Sequence, residues 1–277
     1  MIERVYEACV TSDMFNYHFN PPMDERLKIF RKYGFRYIHW CDNWNDDAYY
    51  SDQDMERICR LIREAGLKCI DVHGTATDTI RMDAADMNLQ DKYIELLKNR
   101  VRFCAAVGGD SVVVHPPYDE PGTVMLRESL DRTLRVFNEV EPLCEELRVS
   151  LAVENVTKAA EEELGFYFDQ YSSSFVWFCF DCGHAHYQKN FEGLKAFADR
   201  LKVLHLSDNK GEADAHQPPF WGNVDWRAVV DWVRSTGYSK PINFEVTHYP
   251  HFFNGTMIEF IDLSTESIKK VMGMFNE

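Results

Sequence analysis

The sequence predicts a single α/β domain, spanning residues 1–277, that folds as a (β/α)8 barrel. Short runs rich in β-branched and aromatic residues alternate with longer amphipathic stretches, and the alternation repeats eight times. This alternation is typical of parallel strands joined by crossover helices, and eight repeats favour closure into a barrel. No linker rich in Pro, Gly or Ser divides the 277 residues, and such barrels commonly have roughly 250 residues.

The individual elements are predicted from apolar runs and from helix-terminating residues. Strands are expected at residues 5–10, 35–40, 67–72, 111–114, 149–153, 175–180, 203–206 and 242–246. Helices are expected at 24–33, 52–65, 89–107, 125–147, 159–170, 191–201, 225–235 and 256–275. Ser51 or Asp52 is a favourable residue for the start of the second helix. Gly34 and Gly66 follow the first two helices, as expected of residues that stop a helix.

An open, doubly wound sheet is the competing α/β architecture. It would bind a dinucleotide through a glycine-rich turn after the first strand. The residues that follow Val10 are Thr-Ser-Asp-Met-Phe-Asn, and neither GxGxxG nor a phosphate-binding P-loop occurs in the sequence. The sequence therefore favours the barrel.

The composition predicts a globular enzyme that does not bind polyanions. Hydrophobic residues make up 45% of the chain and charged residues 27%, while 30 Lys+Arg against 45 Asp+Glu give a net charge of −15. This charge repels nucleic acids and anionic membranes, so neither is an expected partner.

The cysteines and the apolar runs predict a cytoplasmic location. The eight cysteines are scattered, and the one CxxC pair, Cys179 and Cys182, stands alone at the end of a predicted strand. We interpret the cysteines as small buried apolar residues of a reducing compartment. We expect no signal peptide and no transmembrane helix, because no basic-then-apolar leader and no apolar run of about 18 residues is found.

Acidic and histidine residues follow six consecutive predicted strands, at the end where barrel enzymes build their active sites. They are Asp71 and His73, His115, Glu154, Asp181 and His184, His205 and Asp208, and Glu245. Any one of them alone is more often a structural residue than a ligand. Together they are costly to bury without a cation. The set of Glu154, Asp181, His205 and Glu245 suits Mn, Mg, Co or Zn.

Two further loops leave alternatives open. Asp214 and His216, after strand seven, bind a second metal, contact substrate or lie on the surface, and Phe220 and Trp221 form an apolar wall or pack against a helix. After strand two, His39, Trp40, Asp42 and Trp44 contact substrate or belong to the core or a lid. The run Glu161, Glu162 and Glu163 is interpreted as a solvated helix face.

These segments resemble the xylose-isomerase-like barrel superfamily, the sugar phosphate isomerase/epimerase group that includes endonuclease IV. The resemblance rests on Val113-Val114-His115-Pro116, Val153-Glu154-Asn155, Phe180-Asp181-Cys182-Gly183-His184, Leu204-His205-Leu206-Ser207-Asp208 with Asp214-x-His216, and Phe244-Glu245. It implies one divalent metal held by Glu154, Asp181, His205 and Glu245, with the two glutamates also acting as the acid/base pair. In the endonuclease arrangement up to three zinc ions would also use His73, His115, His184, Asp214 and His216.

The chain departs from the sugar group in one loop. Where that group usually has Pro-Gly-x-Gly, this chain has Pro219-Phe220-Trp221-Gly222, which changes the expected size and shape of the substrate. No cluster of basic residues suits a phosphate; Lys158 and Lys210 are candidates by position alone. The sequence therefore favours an unphosphorylated substrate.

The leading hypothesis is a metal-dependent isomerase or epimerase of a sugar, a sugar phosphate or a related polyol-ketone, with proton transfer through a metal-stabilised enediolate. Glu154 and Glu245 would exchange the proton. The candidate substrate-binding residues are His73, His115, His184, Lys210 and Trp221. The alternatives are a multi-zinc phosphodiester hydrolase acting on abasic DNA and a non-catalytic sugar-binding barrel. A homodimer is expected from the frequency of two-fold assemblies.

Overall fold

Eight parallel strands form the barrel in the computed structural model, which describes residues 5–77 and 79–277. The strands are β1 (Ala8–Thr11), β2 (Tyr37–Trp40), β3 (Lys68–His73), β4 (Ser111–Val114), β5 (Ser150–Glu154), β6 (Val176–Asp181), β7 (Leu201–His205) and β8 (Ile242–Phe244). They pair in parallel in the order β7-β6-β5-β4-β3-β2-β1-β8. A parallel bridge between Leu206 and Phe244 joins the two ends, so the sheet closes.

Helices alternate with the strands, as the sequence predicts. They are α1 (Met23–Lys32), α2 (Asp52–Glu64), α3 (Met87–Val107), α4 (Val124–Leu147), α5 (Ala160–Gln170), α6 (Cys182–Gln188), α7 (Phe191–Leu194), α8 (Trp226–Ser235) and α9 (Met257–Phe275). Ser51 caps α2, and its side chain accepts a hydrogen bond from the backbone of Asp54. Among the described helices, none is long and apolar enough to cross a membrane.

The sixth connection differs from the prediction in two places. Helix α6 begins directly after β6, between the predicted strand 175–180 and the predicted helix 191–201, where no helix was predicted. The side chain of Asp181 accepts a hydrogen bond from the backbone N–H of His184 at 2.6 Å and so caps this short helix. The helix expected at 191–201 is a single turn, α7, followed by a 3-10 helix over Lys195–Arg200.

Successive strand residues divide the core into two layers, because side chains alternate between the faces of a strand. Val112 and Val114 belong to the large apolar core that also includes the helices. The intervening Val113 packs instead with Ala152 and Cys179 in a separate, fully buried cluster. All eight cysteines are free, and all are buried except the partly buried Cys59.

The acidic start of α5 is not wholly solvated, contrary to expectation. Glu161 and Glu162 are exposed, but Glu163 is fully buried. The hydroxyl of Thr157 donates a hydrogen bond of 2.8 Å to the carboxylate of Glu163. Burial raises the pKa of Glu163 to about 8. The helical period turns this third residue inward, which the run of three identical letters does not reveal.

Candidate active site

A cavity of about 210 Å³ opens at the carboxyl ends of the strands. Its polar lining includes most of the residues expected at this rim: His73, His115, Glu154, His184, Asp214, His216 and Glu245. Its aromatic lining consists of Tyr17, Trp44, Tyr118 and Tyr249. No Lys or Arg is among the described residues that line it. The structure thus brings residues from several strand ends and loops to one chamber, as the barrel predicts.

His205 lies beneath the chamber and joins the two glutamates. Its Nδ1 is 3.0 Å from Oε1 of Glu154 and 3.1 Å from Oε2 of Glu245. The His205 side chain is fully buried, and Glu154 and Glu245 are 1% and 5% exposed. Burial alone would raise the pKa of Glu245. The positive charge of His205 and the hydrogen bond from it have the larger combined effect and lower that pKa to about 2. Both carboxylates are therefore held in the charged form, on strand ends that approach the cavity from different sides.

Three further histidines surround Glu154. His115 Nε2 lies 3.0 Å from Oε2 of Glu154, and His73 Nε2 lies 3.6 Å from the same oxygen. His184 Nδ1 lies 3.5 Å from the other oxygen, Oε1. Burial, the largest influence on Glu154, would raise its pKa, but these imidazoles and His205 hold that pKa well below its usual value. Glu154 is thus the shared centre of the histidine cluster.

Asp181 is held by its neighbours through the backbone. Asn155, at the end of β5, accepts a hydrogen bond from the backbone N–H of Asp181 at 2.7 Å. The Asn155 amide also donates to the Asp181 carbonyl at 2.8 Å. The Oδ2 atom of Asp181 is buried and has no hydrogen-bond partner among the described residues. Burial raises the pKa of Asp181 to about 7.

Asp214 and His216 reach the cavity, which settles where they lie. Oδ2 of Asp214 is 3.1 Å from His184 Nε2 and 3.0 Å from His216 Nε2. His216 also lies near Glu245, with 3.7 Å between its Nδ1 and Oε2 of the glutamate. The backbone of His216 is in the left-handed region, with a φ of 43°. Both residues line the cavity at its open edge, where the side chain of Asp214 is 36% exposed.

Lys210 and Trp221 do not line the cavity, in contrast to the expectation that they bind substrate. Lys210 is exposed, and Trp221 packs against Phe252, Phe253 and Phe260. The reason is the anchoring of their loop by the buried carboxylate of Asp208. That carboxylate accepts hydrogen bonds from the backbone of Phe220 and of Val224 and from the indole of Trp226. The loop is therefore drawn towards the barrel wall.

The residues after β2 divide between core and cavity. Trp44 lines the cavity, whereas Trp40 is buried in the core. Asp42 pairs with Arg26 at 2.7 Å. His39 lies inside the barrel and donates a hydrogen bond of 2.7 Å to Asp71. Of these four residues, Trp44 is the one that lines the cavity as described.

Several lining residues were missed by the sequence reasoning. Asp13, Tyr17, Tyr118, Thr247 and Tyr249 all face the cavity. Burial raises the pKa of Asp13 to about 6. These residues lie two or more positions beyond their strands, in the loops that follow them. A sequence signal existed only for Asp13, which is a carboxylate shortly after β1.

The donor set fits a divalent metal ion. Glu154, Asp181, Asp214 and Glu245 are acidic groups at one mouth whose described lining offers no Lys or Arg. Oδ2 of Asp181 is buried without a partner, and burying such groups is costly unless a cation neutralises them. Carboxylate oxygens and imidazole nitrogens are ligands for Mn, Co, Zn and Mg.

Several groups of residues have ligand atoms within 4.8 Å of one another, and among them are three made of histidines and carboxylates alone, where ions would fit. The groups are His73–His205–Glu245, His73–His115–Glu154 and His184–Asp214–His216. The first lies against the glutamate pair, and the third lies on the loop after β7. The mouth thus offers more ligands than a single ion needs.

The barrel fold and the acidic, histidine-rich cavity at its carboxyl end indicate which family the chain belongs to. A protein-family model described as "Xylose isomerase-like TIM barrel" matches residues 27–270. The chain belongs to this family, which confirms the resemblance found in the sequence.

Several known proteins are similar to this chain in sequence or in fold. The chain is 33% identical over 246 residues to y4fM of Sinorhizobium fredii, described as an uncharacterized protein, and the match covers 79% of each chain. A crystal structure of a D-tagatose 3-epimerase-like protein matches with a TM-score of 0.77 and 18% identity, covering 98% of both chains. The IOLI protein, solved with a zinc atom bound, matches with a TM-score of 0.76 and 19% identity, covering 97% of this chain and 99% of that one. At these identities the structural matches show a shared fold.

Proposed function

We propose that this chain is a divalent-metal-dependent isomerase or epimerase that moves a proton next to the carbonyl of a sugar. One observation carries the proposal: two buried glutamates, Glu154 and Glu245, lie 3.0 and 3.1 Å from the same nitrogen of His205 at the floor of a small cavity. Proton removal and return need two such groups, one on each side of the reacting carbon.

The metal would be held by Glu154, Asp181, His205 and Glu245. When bound, a divalent ion supplies positive charge that stabilises the oxyanion formed as the proton leaves. The chain supplies the remaining functions. Asn155 holds the backbone of Asp181, and α6 carries His184 into the cavity.

Glu154 and Glu245 are the proposed acid/base pair. They come from β5 and from the end of β8, which are separated in the sheet by β6 and β7. A substrate lying between them meets one carboxylate on each side. One glutamate removes the proton, and the other returns it to the opposite face or to the neighbouring carbon.

The cavity suits a neutral, unphosphorylated sugar. No Lys or Arg is among its described lining residues, so a phosphate would have no side-chain counter-charge there. His73, His115 and His184 present ring nitrogens that can bind hydroxyl groups. Tyr17, Trp44, Tyr118 and Tyr249 supply aromatic surfaces for the C–H faces of a sugar ring.

Solvent proton exchange tests the proposal directly. The protein, loaded with Mn²⁺, Co²⁺, Zn²⁺ or Mg²⁺, is incubated in D2O with a panel of ketohexoses and aldohexoses. We expect deuterium to enter the carbon next to the carbonyl of at least one sugar, as seen by proton NMR. Elemental mass spectrometry on the same sample is expected to find about one ion per chain. Tight sugar binding with no exchange for any sugar would contradict the enzyme and favour a binding barrel.

A second candidate is a multi-zinc phosphodiester hydrolase. It is favoured by the two extra ligand groups, His73–His115–Glu154 and His184–Asp214–His216. The net charge of −15 opposes it, because it repels DNA. Two or three zinc ions per chain, together with cleavage of an oligonucleotide that contains one abasic site, would establish this activity instead.

A further inference from the structure

A second cleft, of about 320 Å³, adjoins the active-site cavity. The two share four lining residues, Tyr118, Val156, His184 and Asp214, and so lie side by side at the carboxyl end of the barrel. The inner cavity of 210 Å³ is below the range of about 300–1,000 Å³ that is typical of sites for larger ligands. The cavity and the cleft together fall within that range, so the two offer more room than a single small sugar needs.

The cleft has walls that are held by hydrogen bonds. One wall is the segment 118–121 after β4, where the hydroxyl of Tyr118 lies 2.6 Å from Nδ1 of His115. The facing wall is built from the segment 156–158 after β5 and the end of α6. The amide of Gln188 on α6 donates to the carbonyl of Val156 at 3.2 Å. These contacts keep the opening in place without a ligand.

The side chains of the cleft suit a polar ring with hydroxyl groups. Tyr118 and Tyr187 line it and are 53% and 37% exposed, which leaves aromatic surface open to a ring. The ammonium of Lys158 and the hydroxyl of Tyr187 have no hydrogen-bond or ion-pair partner within residues 5–77 and 79–277. Both can therefore bond to a ligand without breaking an existing contact.

The charges of the cleft oppose an anionic ligand. Asp119, Glu120 and Asp214 supply carboxylates, and Lys158 supplies the one ammonium among the described lining residues. A phosphate or carboxylate would meet more negative than positive charge here. A neutral polyol meets no such penalty.

We propose that the substrate carries a second, neutral sugar unit, which binds in the cleft while the reacting unit occupies the inner cavity. This inference rests on the proposed function and names its substrate class. The reaction moves one proton and leaves the glycosidic bond intact. An anomeric carbon locked in that bond cannot be the carbonyl. The reacting unit is therefore either a ketose or aldose linked through a hydroxyl other than the anomeric one, or a glycoside with a ketone at another ring carbon.

The test compares matched probes in the D2O exchange assay. The probes are fructose, fructose carrying glucose at O4, and trehalose in which one of the two glucose units is oxidised to a ketone at C3. We expect kcat/KM for one of the two extended classes to exceed that for fructose by about tenfold or more, since a tenfold change needs only one or two good contacts. The class that reacts identifies how the second unit is attached.

Variants of the cleft make the test specific. Tyr187→Ala and Lys158→Ala are each expected to lower the preference for the extended probe by about fivefold to tenfold. Tyr49→Ala and Lys270→Ala are the matched controls, because both residues are exposed and neither lines the two cavities. Equal kcat/KM for fructose and both extended probes, unchanged by the cleft variants, would overturn the inference while the proposed function stands.

A binding measurement decides the matter if no probe exchanges. Saturation-transfer NMR with maltose and with glucose needs no catalysis. Tighter binding of maltose, lost in Tyr187→Ala and retained in Tyr49→Ala, would support the two-unit cleft even if the proposed reaction is wrong. Equal affinity for maltose and glucose would overturn it.

Discussion

The two ends of the barrel interior both bury charged side chains, but they neutralise them differently. At the amino-terminal end, Lys240 lies 3.6 Å from the buried Asp71 and 2.7 Å from Asp110. His39 also donates to Asp71. At the carboxyl end, the described lining of the cavity holds carboxylates and histidines but no Lys or Arg.

This difference separates a structural charge cluster from a functional one. The amino-terminal group contains its own cation, because Lys240 forms an ion pair with Oδ2 of Asp71, although that oxygen has no hydrogen bond within the described residues. The carboxyl-terminal group depends on imidazoles and leaves Oδ2 of Asp181 without a partner among the described residues. A site that needs a charge from outside is the one that binds an ion or a substrate.

The largest expected effect is the loss of catalysis at the carboxyl end. Glu154→Gln and Glu245→Gln are each expected to lower the rate of proton exchange by about a thousandfold, since both the base and a metal ligand are changed. Exchange is measured by NMR, and circular dichroism checks the fold. Asp110→Asn, at the opposite end, is the control. Exchange within tenfold of wild type in both Glu variants would refute their role as the acid/base pair.

The next effect concerns stability at the amino-terminal end. Lys240→Met removes the cation beside Asp71 and is expected to lower the free energy of unfolding by about 3 kcal/mol, because a buried charge is left with a weaker partner. Urea denaturation measures the change, and the exposed Lys270→Met serves as the control. An unchanged midpoint would mean that His39 alone neutralises Asp71 and that the two ends are alike.

Added metal is expected to stabilise the protein by binding at the carboxyl ends of the barrel strands and not at the charge cluster of Asp71 and Lys240. An ion present at about 100 times its dissociation constant adds about 2.7 kcal/mol to the free energy of unfolding. Asp181→Asn should lose most of this gain, whereas Asp110→Asn should keep it. Thermal denaturation with and without metal measures both. Equal stabilisation of the two variants would show that Asp181 is not a ligand.

The last expected effect depends on pH and concerns the stability contributed by Glu163, a buried acid that belongs to neither of the two charge clusters. Glu163 forms no ion pair with a lysine of the kind that Lys240 forms with Asp71, within the described residues, and it does not line the active-site cavity. Burial raises its pKa to about 8. Because the folded pKa is above the ordinary value of 4.5, its contribution to stability is complete below pH 4.5 and is lost as the pH rises through 8.

Glu163→Gln should therefore be more stable than wild type at pH 8, by up to about 4 kcal/mol, because the wild-type carboxyl is ionised in the unfolded chain at this pH and the amide never ionises. At pH 4.5 the two proteins should unfold alike. Urea denaturation at both pH values makes the comparison, with the exposed Glu161→Gln as the control. A gain of equal size at both pH values would mean that ionisation is not its cause.

The sequence by itself determined the barrel and the composition of its mouth. Strand and helix periodicity is local, so all eight strands and the main helices were predicted with small shifts at their ends. Glu154, Asp181, His205 and Glu245 stand at or next to strand ends, and parallel strands bring those ends to one rim. The resemblance to the family followed from the same residues, and the match over residues 27–270 confirms it.

Only the tertiary structure decided what the loops do. Asp208 draws the loop of Lys210 and Trp221 away from the cavity through contacts with residues up to 18 positions later. The aromatic lining from Tyr17, Tyr118 and Tyr249 comes from three separate loops. Whether Glu163 is solvated depends on which face of α5 meets the barrel. Such contacts join residues that are distant in the chain, and local patterns carry no information about them.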